Sequence, residues 1–514
     1  MIMKTNKINT NSAGLIGIDV GTTAIKGVLV TGKGNIITSD VHDYSLEFGT
    51  YETCELDPEV YWNITCKIVH ELIIKSGIEP ENVGGISFSS QGETIISVDA
   101  FGKPLRKAII WLDNRSVSEA KRIVEEFGIE KILEVTGQPE VIAAWPATRI
   151  LWLRENEPDI FLKTSKFLMV EDYLLFRMTG KYCCEHSLVS STLYFDIAKK
   201  TWWKEMLAFL QISEEKLPEL FESGKSVGNL TAESAFQTGL TIKTICVTGA
   251  YDHPSGAVGA GNIEPGKVSL TIGTSMAMCV TLDKPVFDMA MKLPCQCHVI
   301  PGLYFLLPFA PAAGLVMKWF KEEFCKVETN MALEQNIDPF SILTEKALHI
   351  SPGSDGLVVL PHYSGTGSPE FNSKVKGVFA GVTTGMNKGH FVRAILEGVV
   401  CCVEHNIMQM RQKGICIDEI RSIGGGAKSD LWNQILADMT GMPVLTMEQS
   451  ENAATGAAIL AGVGTGVFSS ITDGCLKTIR VSLRFEPDPE KFELYRKVYN
   501  KYVSLYKHLD TFWG

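Results

Sequence analysis

The stretch Leu15–Lys26 reads L-I-G-I-D-V-G-T-T-A-I-K. Leu15, Ile16, Ile18 and Val20 make an apolar run of buried-strand length, with a single carboxylate, Asp19, near its end. Gly21-Thr22-Thr23 follow as a tight turn, and a second apolar run begins at Ile25 with Lys26 near its start. Glycine at 21 lets the main chain come close to a ligand. The two hydroxyls and the turn amides can hold phosphate oxygens, and Asp19 can hold a cation that bridges them. The plainer alternative is a hairpin whose carboxylate accepts turn N–H bonds. From this stretch alone both readings stand.

The same design recurs about half a chain-length downstream. Val268–Ile272, Gly273-Thr274-Ser275 and Met276–Leu282 repeat strand, G-T-hydroxyl turn and strand. A Gly- and Pro-rich segment, Gly259–Gly266, precedes the second copy. Two related domains facing each other across a cleft are therefore expected, residues 1–261 and 262–514.

Between the copies, polar residues gather where strands end. Val83–Ser90 reads as a strand that runs into Gln91-Gly92-Glu93, and Ala108–Leu112 as one that runs into Trp111, Asp113 and Arg115. Thr244–Ala250 ends at Asp252-His253, ahead of a small-residue helix over Ser255–Ala260. In open α/β sheets ligands sit beyond the carboxyl ends of the strands. Carboxylates and amides there suit a hydroxyl-rich ligand, an aromatic face suits its C–H surface, and Asp252 is placed as a general base. Adjacent residues project apart, so His253 is read as structural. Helices are expected over Asp57–Ser76, Ser118–Phe127, Ala147–Arg154, Phe167–Thr179 and Gly385–Cys402. A strand is expected over Ser354–Leu360. Ile420–Ile423 is a strand feeding the glycine-rich turn Gly424–Ser429 and a helix over Asp430–Thr440. That turn lacks the Walker pattern and the acidic partner of a dinucleotide site. Glu451–Gly462 is a helix of small residues that lets backbones pack closely, and the aromatic stripe Phe492, Tyr495, Tyr499, Tyr502, Tyr506 is core packing.

At 514 residues the chain exceeds one typical core, and its 45% hydrophobic, 21% charged composition is that of a soluble globular protein. A net charge of -11 argues against nucleic acid. Met1–Ser12 lacks the apolar core of a signal peptide, and Leu303–Met317 is broken by Pro308, Pro311 and Gly314, so no membrane span and a cytoplasmic location are expected. The 13 cysteines fall in no C-x-x-C doublets, so reduced thiols are expected rather than zinc ligands.

Taken in order, G-I-D-V-G-T-T at 17–23, W-L-D-N-R at 111–115, Y-D-H-P-S-G-A at 251–257, I-G-T-S at 272–275 and G-G-G-A-K-S-D-L-W-N-Q-I-L-A-D at 424–438 resemble the FGGY family of ATP-dependent carbohydrate kinases. The resemblance runs from Leu15 to about Tyr506. It implies an α/β fold of two ribonuclease H-like domains in an actin-like ATPase arrangement across a hinged catalytic cleft. It implies Asp252 as general base and Asp19 as organiser of Mg²⁺. It implies Thr22, Thr23, Lys26, Gly273 and Thr274 as phosphate loops, and Gly425, Gly426, Ala427 and Asp430 near the ATP nucleotide. Gln91, Glu93, Trp111, Asp113 and Arg115 are the implied sugar contacts, and a homodimer is one assembly it admits. The chain departs from the family at 91–93: glycerol kinases have arginine after the glutamine and xylulose kinases Met-His, where this chain has Gly92-Glu93. A ketose, or a polyol such as erythritol, suits a carboxylate-lined pocket with room at Gly92. The rival readings are an actin- or chaperone-type ATPase switch, which needs no sugar-side residues, and a catalytically silent sugar-binding regulator.

Overall fold

A computed structural model describes residues 13–513; the polar Met1–Ser12 stretch lies outside them. The opening stretch folds as a meander of β1 (Gly14–Val20), β2 (Ala24–Thr31) and β3 (Ile36–Asp43). The helix α1 (Pro58–Ser76) is capped by the Asp57 side chain, as its Asp-Pro-Glu start leads one to expect. With β4 (Val83–Ser90), β5 (Ser226–Asn229) and β6 (Ile245–Tyr251) the meander forms a six-stranded sheet in the order β5-β6-β4-β1-β2-β3. β1, β4 and β6 run parallel, so their carboxyl ends share one edge.

The second half repeats this plan. β7 (Lys267–Ile272) and β8 (Met276–Leu282) are antiparallel, and β7 pairs in parallel with β11 (Glu419–Ile423). β9 (Cys295–Cys297), β10 (Tyr304–Leu306), β12 (Val444–Met447) and β13 (Val481–Phe485) complete the order β9-β10-β8-β7-β11-β12-β13. In both halves an antiparallel hairpin opens the sheet, and parallel strands are added on the side of its first strand. This is the ribonuclease H-like plan twice over.

The helix α2 (Val170–Thr179) covers β6, and α3 (Asp252–Gly259) begins directly where β6 ends. In the second half lie α4 (Gly314–Phe324), α5 (Lys388–Gln412), α6 (Asp430–Thr440), α7 (Asn452–Gly464) and α8 (Pro489–Trp513). The small residues of α7 allow close packing, and its partners are β1, β4 and β6 of the first half together with α3. A Cβ on Gly17 of β1 would lie 1.9 Å from the Ala454 carbonyl oxygen, so only glycine admits this approach. The stripe on α8 packs inward as expected, with Tyr495 and Tyr502 buried.

Four expected elements differ. Only Ala108–Ile109 is extended, and it pairs with Cys54–Leu56 in a small separate sheet. Trp111–Arg115 therefore does not arise from the main sheet. Lys166–Leu168 is a strand paired with Ile96–Val98, so the helix expected from Phe167 begins at Val170. The long helix starts at Lys388, where Asn387 caps it, and runs well past Cys402. Ser354–Gly356 is a helical turn, leaving only Val358–Leu360 extended. At Ala108–Leu112 and Phe167 a short apolar run fits either state, and tertiary pairing decides. The Asn387 cap sets the start of the long helix, and positive φ angles at Ser354, Asp355 and Gly356 keep that turn out of the strand.

Candidate active site

Asp19, on β1, stands opposite Ser89 of β4, whose hydroxyl donates to Asp19 Oδ1 at 2.8 Å. β4 then leaves the sheet: the Gln91 N–H donates to the Val20 carbonyl at 2.9 Å, and the Gln91 amide donates to the Tyr61 hydroxyl at 2.9 Å. Glu93 follows, in the left-handed region at φ 60°. Such a conformation costs energy and marks functional segments. Asp252 is the first residue of α3, which starts three residues before the expected Ser255, with Tyr251 at its N-cap position. Three acidic side chains therefore meet at one sheet edge.

They repel one another. Burial, then the charge of Asp252, pushes Asp19 up to about 7. The same two causes push Glu93 up to about 8, although the Ser191 hydroxyl bonds to it. Burial also raises Asp252, whose Oδ1 is shielded and has no hydrogen-bond partner among the described residues. His253 Nε2 stands 3.9 Å from that oxygen, too far for a hydrogen bond. Oxygen donors with surplus negative charge and an unpartnered atom fit a hard divalent cation or a hydroxyl proton.

The first glycine turn is tied to this edge. Trp111 Nε1 donates to Thr22 Oγ1 at 3.0 Å, Gly21 N donates to the Ala24 carbonyl at 3.0 Å, and the Tyr44 hydroxyl donates to the Gly21 carbonyl. Thr23 is exposed. Lys26 makes a 2.9 Å ion pair with Glu451, at the start of α7.

Asp113 and Arg115 close on each other. Arg115 donates to Asp113 Oδ1 and Oδ2 at 2.8 and 2.7 Å, and also to Glu55 at 2.6 Å. Burial opposes ionisation of Asp113, but the guanidinium and the Cys54 N–H hold it below the usual range. This pair braces the pocket wall rather than presenting free groups. Gly92 offers no room either: a Cβ there would lie 2.9 Å from the Tyr251 ring and 3.1 Å from Ser191 Oγ.

Across the cleft, Gly273, Thr274, Gly425 and Gly426 line one cavity of about 550 Å³ with Gly314, Leu315, Lys318, Phe340, Ser341 and Trp432. Its size and mixed wall suit a nucleotide. Gly314 N donates to Gly273 O at 2.9 Å, locking α4 onto the second turn. Ala427 and Asp430 do not join it; they line a separate cavity of about 280 Å³ behind the glycine turn.

Sequence reasoning missed several of these residues. Arg149 is completely buried and donates to the carbonyls of Glu93 and Asp113 at 2.7 and 3.2 Å. Ser89, Ser191 and Tyr251 also face the acidic set. A recognisable signal existed for Gly314, which ends the small-residue run Ala310–Gly314.

Comparison with known proteins agrees with this fold. The profile of the FGGY family of carbohydrate kinases, N-terminal domain, matches residues 15–259, and that of the C-terminal domain matches residues 268–465. The chain is 32% identical over 494 residues to a xylulose kinase of Bacillus subtilis (strain 168), spanning 96% of this chain and 97% of the relative. It is 30% identical over 504 residues to a gluconokinase of the same strain, spanning 97% and 96%. The crystal structure of xylulose kinase from Rhodospirillum rubrum superposes with a TM-score of 0.88 at 27% identity, over 97% of this chain and 99% of that one.

Proposed function

The chain belongs to the FGGY family of carbohydrate kinases, and from that premise we propose that it transfers the γ-phosphoryl group of ATP to a hydroxyl of a ketose or polyol, with Asp252 as general base. The observation that carries this reading is the unpartnered Oδ1 of Asp252 at the edge shared by β1, β4 and β6. Asp252 takes the hydroxyl proton as the substrate oxygen bonds to the γ-phosphorus, while the bond to the departing ADP breaks. In-line positioning and charge neutralisation do most of the work in such transfers.

Gly273, Thr274, Gly425 and Gly426 would cradle the nucleotide, with Thr22 and Thr23 facing its phosphates from the other half. Lys26 would join them on leaving Glu451. Asp19 would hold Mg²⁺, which when bound supplies the positive charge that offsets the phosphates. Gln91, Glu93 and Trp111 would hold the sugar, while Asp113 and Arg115 act from behind the wall. Residues 1–261 thus form the sugar side and residues 262–514 the nucleotide side, with α7 reaching back across.

Asp252, ionised when it acts as base, favours a neutral hydroxyl-rich acceptor over an aldonate, whose own carboxylate it would repel. Glu93, pushed up to about 8, offers hydrogen bonds and no positive charge to offset an anion. Arg149 and Arg115 do not offset this, being spent on backbone carbonyls and on Asp113 and Glu55. The test is a coupled ADP-release screen over pentuloses, hexuloses, aldonates, glycerol and erythritol. ADP release that requires a ketose or polyol supports the reading. Sugar-independent release would replace it with an ATPase switch, and polyol binding without turnover with a silent regulator.

A further inference from the structure

β6, which delivers Asp252, is irregular just before it does so. Its pairing with β4 shifts register between Val247 and Ala250, so Thr248 and Gly249 together oppose Phe88. A Cβ on Gly249 would lie 1.6 Å from the Phe88 carbonyl oxygen, which makes glycine obligatory at this bulge. The bulge aims the strand end, and it leaves backbone N–H groups that side chains must satisfy.

Two side chains do so. Glu171 Oε1 of α2 accepts from the Gly249 N–H at 2.7 Å. Ser187 Oγ accepts from the Tyr251 N–H at 3.0 Å and donates to Glu185 Oε1 at 2.8 Å. Glu185 is itself fixed by the N–H groups of Ser187 and Leu188 and by the Ser223 hydroxyl. Glu171, Glu185 and Ser187 are all fully buried. Burying two carboxyl groups behind a strand is costly unless their positions matter.

We propose that Glu171 and Ser187, the latter backed by Glu185, are positioning residues that clamp the bulged end of β6 and thereby aim the Asp252 carboxylate at the acceptor hydroxyl. The clamp grips the two N–H groups on either side of Ala250, immediately before Asp252. None of these side chains needs to touch substrate; they act through the backbone that carries the base. Four donors reach Glu185 and oppose the rise that its burial brings. Burial and the neighbouring charge of Glu185 raise Glu171, whose Oε2 has no partner among the described residues. The Gly249 N–H needs one acceptor oxygen at 171, which an amide side chain also supplies.

The proposal rests on Asp252 being the base, and its test keeps the two apart. Steady-state kinetics on the full chain, with the acceptor found in the ADP-release screen, are compared for Ser187→Ala, Glu171→Ala, Glu171→Gln and Asp252→Asn. Misplacing a reacting group by about an ångström costs on the order of 100-fold. Ser187→Ala and Glu171→Ala are expected to lower kcat roughly 10- to 100-fold while KM for MgATP stays within about twofold. Glu171→Gln, which returns an acceptor oxygen to the Gly249 N–H, should recover most of that loss. Should Glu171→Ala fail to fold, Ser187→Ala, which removes a single hydroxyl, carries the test. Wild-type kcat in a folded Ser187→Ala overturns the proposal, as does Glu171→Gln being no better than Glu171→Ala. An active Asp252→Asn overturns the premise instead.

Discussion

A base must be ionised to accept a proton, and burial raises the pH at which Asp252 ionises. The acid limb of kcat is therefore expected at a higher pH than an ordinary aspartate would give, and Asp252→Asn should nearly abolish turnover while nucleotide still binds. A pH–rate profile with parallel nucleotide titration checks both; a plateau reaching down to the ordinary aspartate range would dismiss Asp252 as the base. Glu93 gives a stability prediction of opposite emphasis. Its folded-state value of about 8 lies above the unfolded one, so its favourable contribution is complete below the unfolded value and is lost as pH rises toward 8. The thermal unfolding midpoint of the wild type should thus fall as pH rises from about 5 to about 8, and Glu93→Gln should lessen that fall while raising KM for the acceptor. Asp19, Glu93 and Asp252 were legible because each interrupts or ends an apolar run. Arg149 was not: in A-T-R-I-L-W-L-R it reads like any polar helix position, and only the folded chain shows its guanidinium gripping the carbonyls of Glu93 and Asp113.

Among the elements, α7 shows what a pattern can and cannot say. Its run of Ala and Gly announced close backbone packing, yet nothing in it named the partner. The partner is the sheet of the other half, where Gly17 of β1 meets Ala454 and Ala458. Gly17→Ala would force its Cβ to within 1.9 Å of a carbonyl oxygen, and backbone cannot rotate aside as a side chain can. A stability loss of about 1–3 kcal/mol, the usual cost of overpacking, is expected and should lower the urea unfolding midpoint. An unchanged midpoint would mean that α7 does not hold this position. The two G-T turns were legible for a different reason: strand, turn and strand are local in sequence, so their repetition survives without tertiary knowledge. The segment at Ala108–Leu112 misled because a short apolar run fits an edge strand and a central strand equally, and only pairing with Cys54–Leu56 separates them.

For the molecule as a whole, the return of α7 makes the halves unequal as folding units. One apolar cluster joins Leu15, Val28, Val30 and Ala250 of the first half to Ala458, Leu460, Phe468 and Ile471 of the second. A fragment of residues 1–261 carries its sheet but lacks this cover, so it leaves those side chains in water. Each fully exposed aliphatic side chain forfeits about 1.5–3 kcal/mol, and marginal domains do not survive several such losses. The fragment alone is expected to aggregate or to melt without a cooperative transition, whereas co-expression with residues 262–514 should restore a single sharp transition and nucleotide-dependent stabilisation. Calorimetry of the two preparations decides. A sharp, independent transition for residues 1–261 would show that the first half closes its own core, and that α7 contributes contact without being required. Failure of the fragment and its rescue in trans would show that the first half is stable only while the second half is folded against it.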